Sequence, residues 1–133
     1  MTSRRWYLAA IGLAVGALAR CASSSGPSLP PCTDPVTLTA TTAVEPGFAW
    51  TPNCLVDQVT LEENIAPSAG GPQARWAIRS RVTGQGTPSP LRYGDVPASM
   101  DELLSAATLV AGHEYSARVF AGTVVVGHAV FRP

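Results

Sequence analysis

The stretch VTLTATTAVEPGFAWTPNC, Val36 to Cys54, decides the fold. Its opening residues alternate with period two: Val36, Leu38 and Ala40 fall on one face, Thr37, Thr39 and Thr41 on the other. Strand side chains repeat every two residues, whereas a helix would scatter these positions around its axis. The pattern predicts a half-buried strand. Glu45, Pro46 and Gly47 supply a turn, and Phe48 to Trp50 begins a second strand that ends at Thr51-Pro52-Asn53-Cys54. Cys32 precedes the first strand, Cys54 follows the second, and the midpoint of the two in sequence is Ala43, close to the turn. Antiparallel strands joined there bring both cysteines together at the open end, which predicts a disulfide. Closing such a loop contributes about 3 kcal/mol in a chain-entropy treatment.

Working outward, Val56 to Glu63 reads as a third strand with Val59 and Leu61 inward and Thr60 and Glu62 outward. Asn64 to Gln73 is a loop. Ala74 to Val82, ARWAIRSRV, alternates again, with Trp76, Ile78, Ser80 and Val82 opposed to Arg75, Ala77, Arg79 and Arg81. Pro90 to Tyr93 reads as a short edge strand. Ser99-Met100-Asp101-Glu102 has capping-box spacing, which predicts a short helix from Met100 to about Ala106. His113 to Ala121 and Thr123 to Phe131 are two strands of a hairpin turning at Ala121-Gly122. About seven short strands with turns between them predict an all-β chain folded as an antiparallel immunoglobulin-like sandwich.

Two segments carry a family resemblance. FAWTP, Phe48 to Pro52, and LVAGHEYSARV, Leu109 to Val119, resemble fibronectin type III domains, over about Pro35 to Phe131. The resemblance implies that Trp50 packs in the core. It places Tyr115 at the core edge, where the chain turns into the sixth strand, with Leu109 beside it.

The beginning of the chain reads as an address. Arg4 and Arg5, the apolar run Trp6 to Ala19 and small residues follow the order of a signal peptide, residues 1–20. As a helix those fourteen residues reach about 21 Å, short of the roughly 30 Å hydrocarbon layer. SRRWYL, Ser3 to Leu8, resembles the twin-arginine export signal. LARC, Leu18 to Cys21, resembles the lipobox of bacterial lipoproteins, whose cysteine is acylated before cleavage, although Arg20 occupies a position usually held by a small residue. The alternative is cleavage after Ala17-Leu18-Ala19, which frees Cys21. Cysteine parity favours acylation, because three cysteines less Cys21 leave one pair for an oxidising compartment. Residues 21–34 then form a lipidated cysteine and a Ser/Pro-rich tether, and residues 35–133 the sandwich. Ala22 after the cysteine resembles an outer-membrane address if the host has two membranes.

Removing Arg4, Arg5 and Arg20 leaves six arginines against nine acids, a net charge of about −3, too acidic overall to suggest nucleic-acid binding, so no nucleic-acid partner is expected. No phosphate loop, metal spacing or nucleophile motif is present in the sequence, so neither a metal nor a cofactor is expected. His113 and His128 read as surface histidines. Arg75, Arg79 and Arg81 fall on one strand face, a basic stripe about 20 Å long, suited to phosphates of lipid or polysaccharide or to an acidic partner. Arginines on a solvent face also discourage edge pairing. Tyr93, beside Gly94, is the aromatic expected to stand exposed for binding. The expected protein is a non-enzymatic envelope lipoprotein, held to the membrane by its lipid and serving as an interaction or accessory module for an envelope protein or glycan. The alternative is a glycan- or anionic-lipid-binding lipoprotein using the arginines. Asn64 to Gln73 and Gly84 to Pro90 are the loops expected to recognise a partner.

Overall fold

The computed structural model describes residues 28–133, so the expected export segment, the expected anchor at Cys21 and residues 22–27 of the expected tether lie outside the described residues. Among the described residues eight strands form two antiparallel sheets. They are β1 (Thr37–Ala40), β2 (Gly47–Thr51), β3 (Gln58–Glu63), β4 (Gln73–Ser80), β5 (Leu91–Arg92), β6 (Met100–Leu104), β7 (Tyr115–Ala121) and β8 (Val124–Phe131). The smaller sheet has the order β1-β2-β5 and the larger β6-β4-β3-β7-β8. Among the described residues no helix is long and apolar enough to cross a membrane.

The alternation read from the sequence sets the packing. Leu38 pairs with Trp50 and Ala40 with Phe48, which turns one row of side chains from β1 and β2 inward. In the facing sheet Val59, Leu61, Trp76, Ile78 and Val119 are buried. Phe48 spans the two layers, stacked on Trp76 at 6.2 Å and edge-on to Phe131 at 6.1 Å. Fully burying side chains of this size is worth about 1.5–3 kcal/mol each, so this interlayer cluster holds the sheets together. Trp50 meets its polar requirement by donating from Nε1 to the Cys54 carbonyl, 2.9 Å away. Cys32 and Cys54 are joined by a disulfide that closes the open end of the β1–β2 hairpin.

Tyr115 begins β7 fully buried, and its hydroxyl accepts the Val110 backbone N–H at 2.8 Å. Leu109 is buried beside it. The β7–β8 hairpin turns at Gly122, whose φ of 57° lies in the left-handed region that a glycine enters without a Cβ clash.

The expected helix over Met100 to Ala106 is a strand instead. Met100, Asp101 and Glu102 pair with Ser80, Arg79 and Ile78, adding β6 as the edge of the larger sheet and giving eight strands in place of about seven. The capping box does not form: Ser99 Oγ donates to the Gly86 carbonyl, and Glu102 accepts from Ser105 Oγ. An isolated helix of two turns is marginal, whereas the strand gains ladder bonds and buries Met100.

Strand directions give the sandwich two poles. The incoming chain is fixed at one, where Leu55 N–H donates to the Pro30 carbonyl and Cys32 N–H to the Leu55 carbonyl, both at 2.9 Å. This pole, called the tether pole after the expected tether that leads to it, also holds the loop 81–90 and the β7–β8 turn. The far pole gathers the β1–β2 turn, the loop 64–72, the β6–β7 connection and the C-terminus, where Gly112 N–H donates to the Pro133 carbonyl at 2.9 Å.

Candidate functional site

The three arginines of β4 and its exit do not act as one stripe. The β3–β4 register steps from Leu61–Trp76 to Glu62–Ala74, leaving Arg75 as the inserted residue of a β-bulge. From there its guanidinium reaches Glu63, with Nε 2.8 Å from Oε2, and also donates to the Gln73 amide oxygen at 3.0 Å. Arg81 lies past the end of β4. It donates to Asp101 Oδ1 at 2.6 Å and to the Ala98 carbonyl at 3.0 Å. Arg79 remains exposed, and its side chain bonds the Gln58 amide oxygen at 3.2 Å. Arg92, Arg118 and Arg132 pair with Glu45, Glu62 and Glu114. Among the described residues Arg79 is therefore the arginine without an acid within 4.0 Å.

Tyr93 is half-buried rather than exposed. Its ring sits edge-on to Trp76 at 5.3 Å, and its hydroxyl donates to the Ala107 carbonyl at 2.6 Å. Burial pushes its phenol up to about 12, and the nearby Tyr115 adds to the rise.

At the far pole stands a connected polar cluster whose members lie far apart in the sequence. Glu63 is 6% exposed although it is charged, and both of its oxygens are engaged, Oε1 by the His113 ring and Oε2 by Arg75. The His113 hydrogen bond is the largest influence on this carboxyl and lowers it, burial opposes, and Arg75 lowers it further; the result lies below the ordinary value. Beside it Asn64 donates to Glu114 at 3.0 Å and accepts from Ser116 at 2.9 Å. The bond from Arg132 to Glu114, then that from Asn64, holds the Glu114 carboxyl low. A histidine oriented by a carboxylate is part of a hydrolase arrangement, but Ser116 gives its proton to Asn64. The cluster ties β3, β4, the β6–β7 turn and the C-terminal residues together.

The sequence did carry a signal for it. Asp57, Val59, Leu61 and Glu63 share one parity, so two acids occupy inward positions where a charge needs partners. Asp57, 5% exposed, is the equivalent at the tether pole. Its Oδ1 accepts Gly84 N–H and its Oδ2 accepts Gly122 N–H, each at 2.6 Å, so one carboxylate clamps two turns.

An open groove of about 960 Å³ runs along the outer side of the smaller sheet. Thr39, Thr41, Ala49, Pro88, Leu91 and Val96 are among the residues that line it. The Gly84 to Pro90 loop thus contributes to the groove, while Asn64 to Gln73 stands apart at the far pole with Ala66–Gly70 exposed. Among the described residues no three His, Cys, Asp or Glu side chains are placed to hold a metal ion. No protein-family model, curated protein or solved structure matches the chain.

Proposed function

We propose that the chain is a lipid-anchored protein of the bacterial envelope whose sandwich is a non-enzymatic interaction or accessory module. The supporting observation is the Cys32–Cys54 disulfide, which accounts for two of the three cysteines and leaves Cys21 for acylation. Pinning of Pro30 and Cys32 at one pole supports the same reading, since a tether needs a firm attachment on the folded side. Mutual saturation of the far-pole acids and bases supports a structural use of those groups. The hydroxyl of Tyr115 on Val110, a tie at the start of a strand, supports the fibronectin type III-like assignment of the sandwich. Ala22 after Cys21 supports an outer-membrane destination in a host with two membranes.

The deciding experiment is intact mass of detergent-extracted protein. A diacylglyceryl increment on a chain starting at Cys21 is the expected result, and an unlipidated chain starting at Arg20 overturns the reading. A second reading, recognition of anionic lipid or glycan, is favoured by Arg79, whose charge is not matched by an acid, more than by Arg75 or Arg81. Unchanged retention of Arg79→Ser on anionic vesicles and on envelope glycans removes it.

A further inference from the structure

We infer that the tether pole rests on the bilayer surface, with the β7–β8 hairpin tip and the loop after β4 as its contact points. The inference rests on the lipid-anchor reading. It begins with where the chain outside the described residues ends. From Cys21 to Ser28 is seven residues, which reach at most about 25 Å when fully extended. Ser28 opens the described chain two residues before Pro30, whose carbonyl is bonded to Leu55 at the tether pole. An acyl group at Cys21 therefore keeps this pole, and not the other, beside the lipid headgroups.

The same pole carries side chains suited to that position. Val124 is 64% exposed and Val125 47%, both just after the hairpin turn, and Val82 is 52% exposed in the neighbouring loop. No charged residue occurs from Val119 to Gly127, so the hairpin tip meets the headgroup boundary without burying an ion. Arg79 adds a cation near these groups. In the register across the larger sheet, Val125 opposes Phe120, Phe120 opposes Gln58, and Gln58 opposes Arg79, all in one row at the tether-pole end of the strands. A guanidinium in that row can meet lipid phosphate while the valines enter the apolar boundary.

The contact points are held on one base. Gly84 and Gly122 donate to the two oxygens of buried Asp57, and Gly84 also lies against Pro31, where an added Cβ would come within 3.9 Å of its ring. Tether attachment, loop and hairpin tip are thus linked through a single carboxylate. The other charges of this pole are Asp34, which is exposed, and Asp101, which is bonded to Arg81. A diacylglyceryl group supplies the two chains that stable anchoring takes, so the contact at this pole acts to orient the domain on the membrane rather than to hold it there.

The test uses the full mature protein extracted from membranes, its acylation first established by intact mass. Reconstituted in nanodiscs containing headgroup nitroxide lipid, the amides of Val82–Gln85 and Gly122–Val125 are expected to lose several-fold more signal than those of Val44–Gly47 and Val110–His113. Uniform broadening, or broadening of the second set, overturns the inference while leaving the anchor intact. Joint replacement Val124→Asp and Val125→Asp, with acylation and the native spectrum retained, should cut the loss at Gly122–Val125 several-fold while the tether still leaves this pole more broadened than the other; an unchanged loss at Gly122–Val125 overturns the hairpin contact. Arg79→Ser should weaken binding of an unanchored sample to anionic vesicles about fivefold. If intact mass reveals no lipid, the anchor reading fails on its own account. Titration of that free chain with nitroxide vesicles then decides the surface contact: selective loss at the same two segments sustains it, and its absence ends it.

Discussion

Gly86→Ala isolates a single close approach on which the loop after β4 depends. Gly86 does not have a positive φ, so its backbone conformation by itself accepts alanine. On that ground the change would stabilise by about 0.4–1 kcal/mol, through lower entropy of the unfolded chain. Contact reverses the sign. A Cβ at this position would lie 1.8 Å from the Val56 carbonyl oxygen and 2.6 Å from its carbon, both backbone atoms that no rotamer change can move. Ordinary contact between carbon atoms is about 3.5–4.0 Å, so the loop must retreat by more than an ångström. The retreat breaks the reciprocal Val56–Thr87 bonds, each 3.0 Å, and strains the 3.0 Å bond from Ser99 to the Gly86 carbonyl. Taking all three hydrogen bonds as lost at about 1 kcal/mol each, less the entropy gain, leaves a net loss of about 2–2.6 kcal/mol. For a domain of this size that lowers Tm by roughly 8–21 °C. Urea unfolding of both proteins measures it as a lower midpoint at constant m-value. Gly112→Ala is the comparison: its φ of 81° strains alanine by about 1–2 kcal/mol, but no atom lies within 4 Å of the added methyl. Gly86→Ala as stable as the parent, or more stable than Gly112→Ala, would refute the steric argument.

Three further outcomes follow from the same structure. Replacing Cys32 and Cys54 together by serine, which opens a loop with a sequence separation of 22, should cost about 3 kcal/mol in urea unfolding, and a loss below about 1 kcal/mol would contradict the loop-closure account. Glu63 has a lowered folded value, so its contribution is present above the ordinary carboxylate value of 4.5 and is lost as pH falls through the folded value. Thermal melts should accordingly show a Tm decline below pH 4.5 that Glu63→Gln flattens; an equally steep decline in that variant would assign the acid sensitivity elsewhere. Tyr93 is raised to about 12, so the stability linked to its neutral phenol is present below pH 10 and falls as pH climbs toward 12. Absorbance titration of the folded protein should contain a late phenolate phase that is missing in Tyr93→Phe.

The parts of the fold that the sequence revealed are those where alternation and burial agree. Leu38, Trp50, Val59, Leu61, Trp76 and Ile78 all lie inward as their parity predicts, and the cysteines meet where the hairpin opens. Ser99 to Glu102 misled because the capping signal is local, while the choice between helix and strand was made by the edge of β4, which lies twenty residues upstream and outside any local window. Arg75 misled through a bulge. One inserted residue moved it off the face of Arg79 and onto Glu63, and a period-two reading contains no mark of such a step. Tyr93 looked exposed because it sits beside Gly94 among turn residues, yet the chain between β5 and β6 folds it against Trp76. Asp57 and Glu63 were legible in principle as acids on an inward parity, but their partners came from glycine amides and from His113, about fifty residues away or more for Gly122 and His113.

The disulfide also decides how the domain responds to force. Tension applied through the N-terminus reaches Cys32 before β1, and the covalent link passes it directly to Cys54 and the start of β3. The β1–β2 hairpin lies within the closed loop and carries no load, so it cannot be peeled from the end as an ordinary terminal strand is. A stretched molecule would keep about 75 Å of chain in reserve, released only on reduction. Under a pull on the N-terminal end, the bond would work as a mechanical bypass as well as a brace.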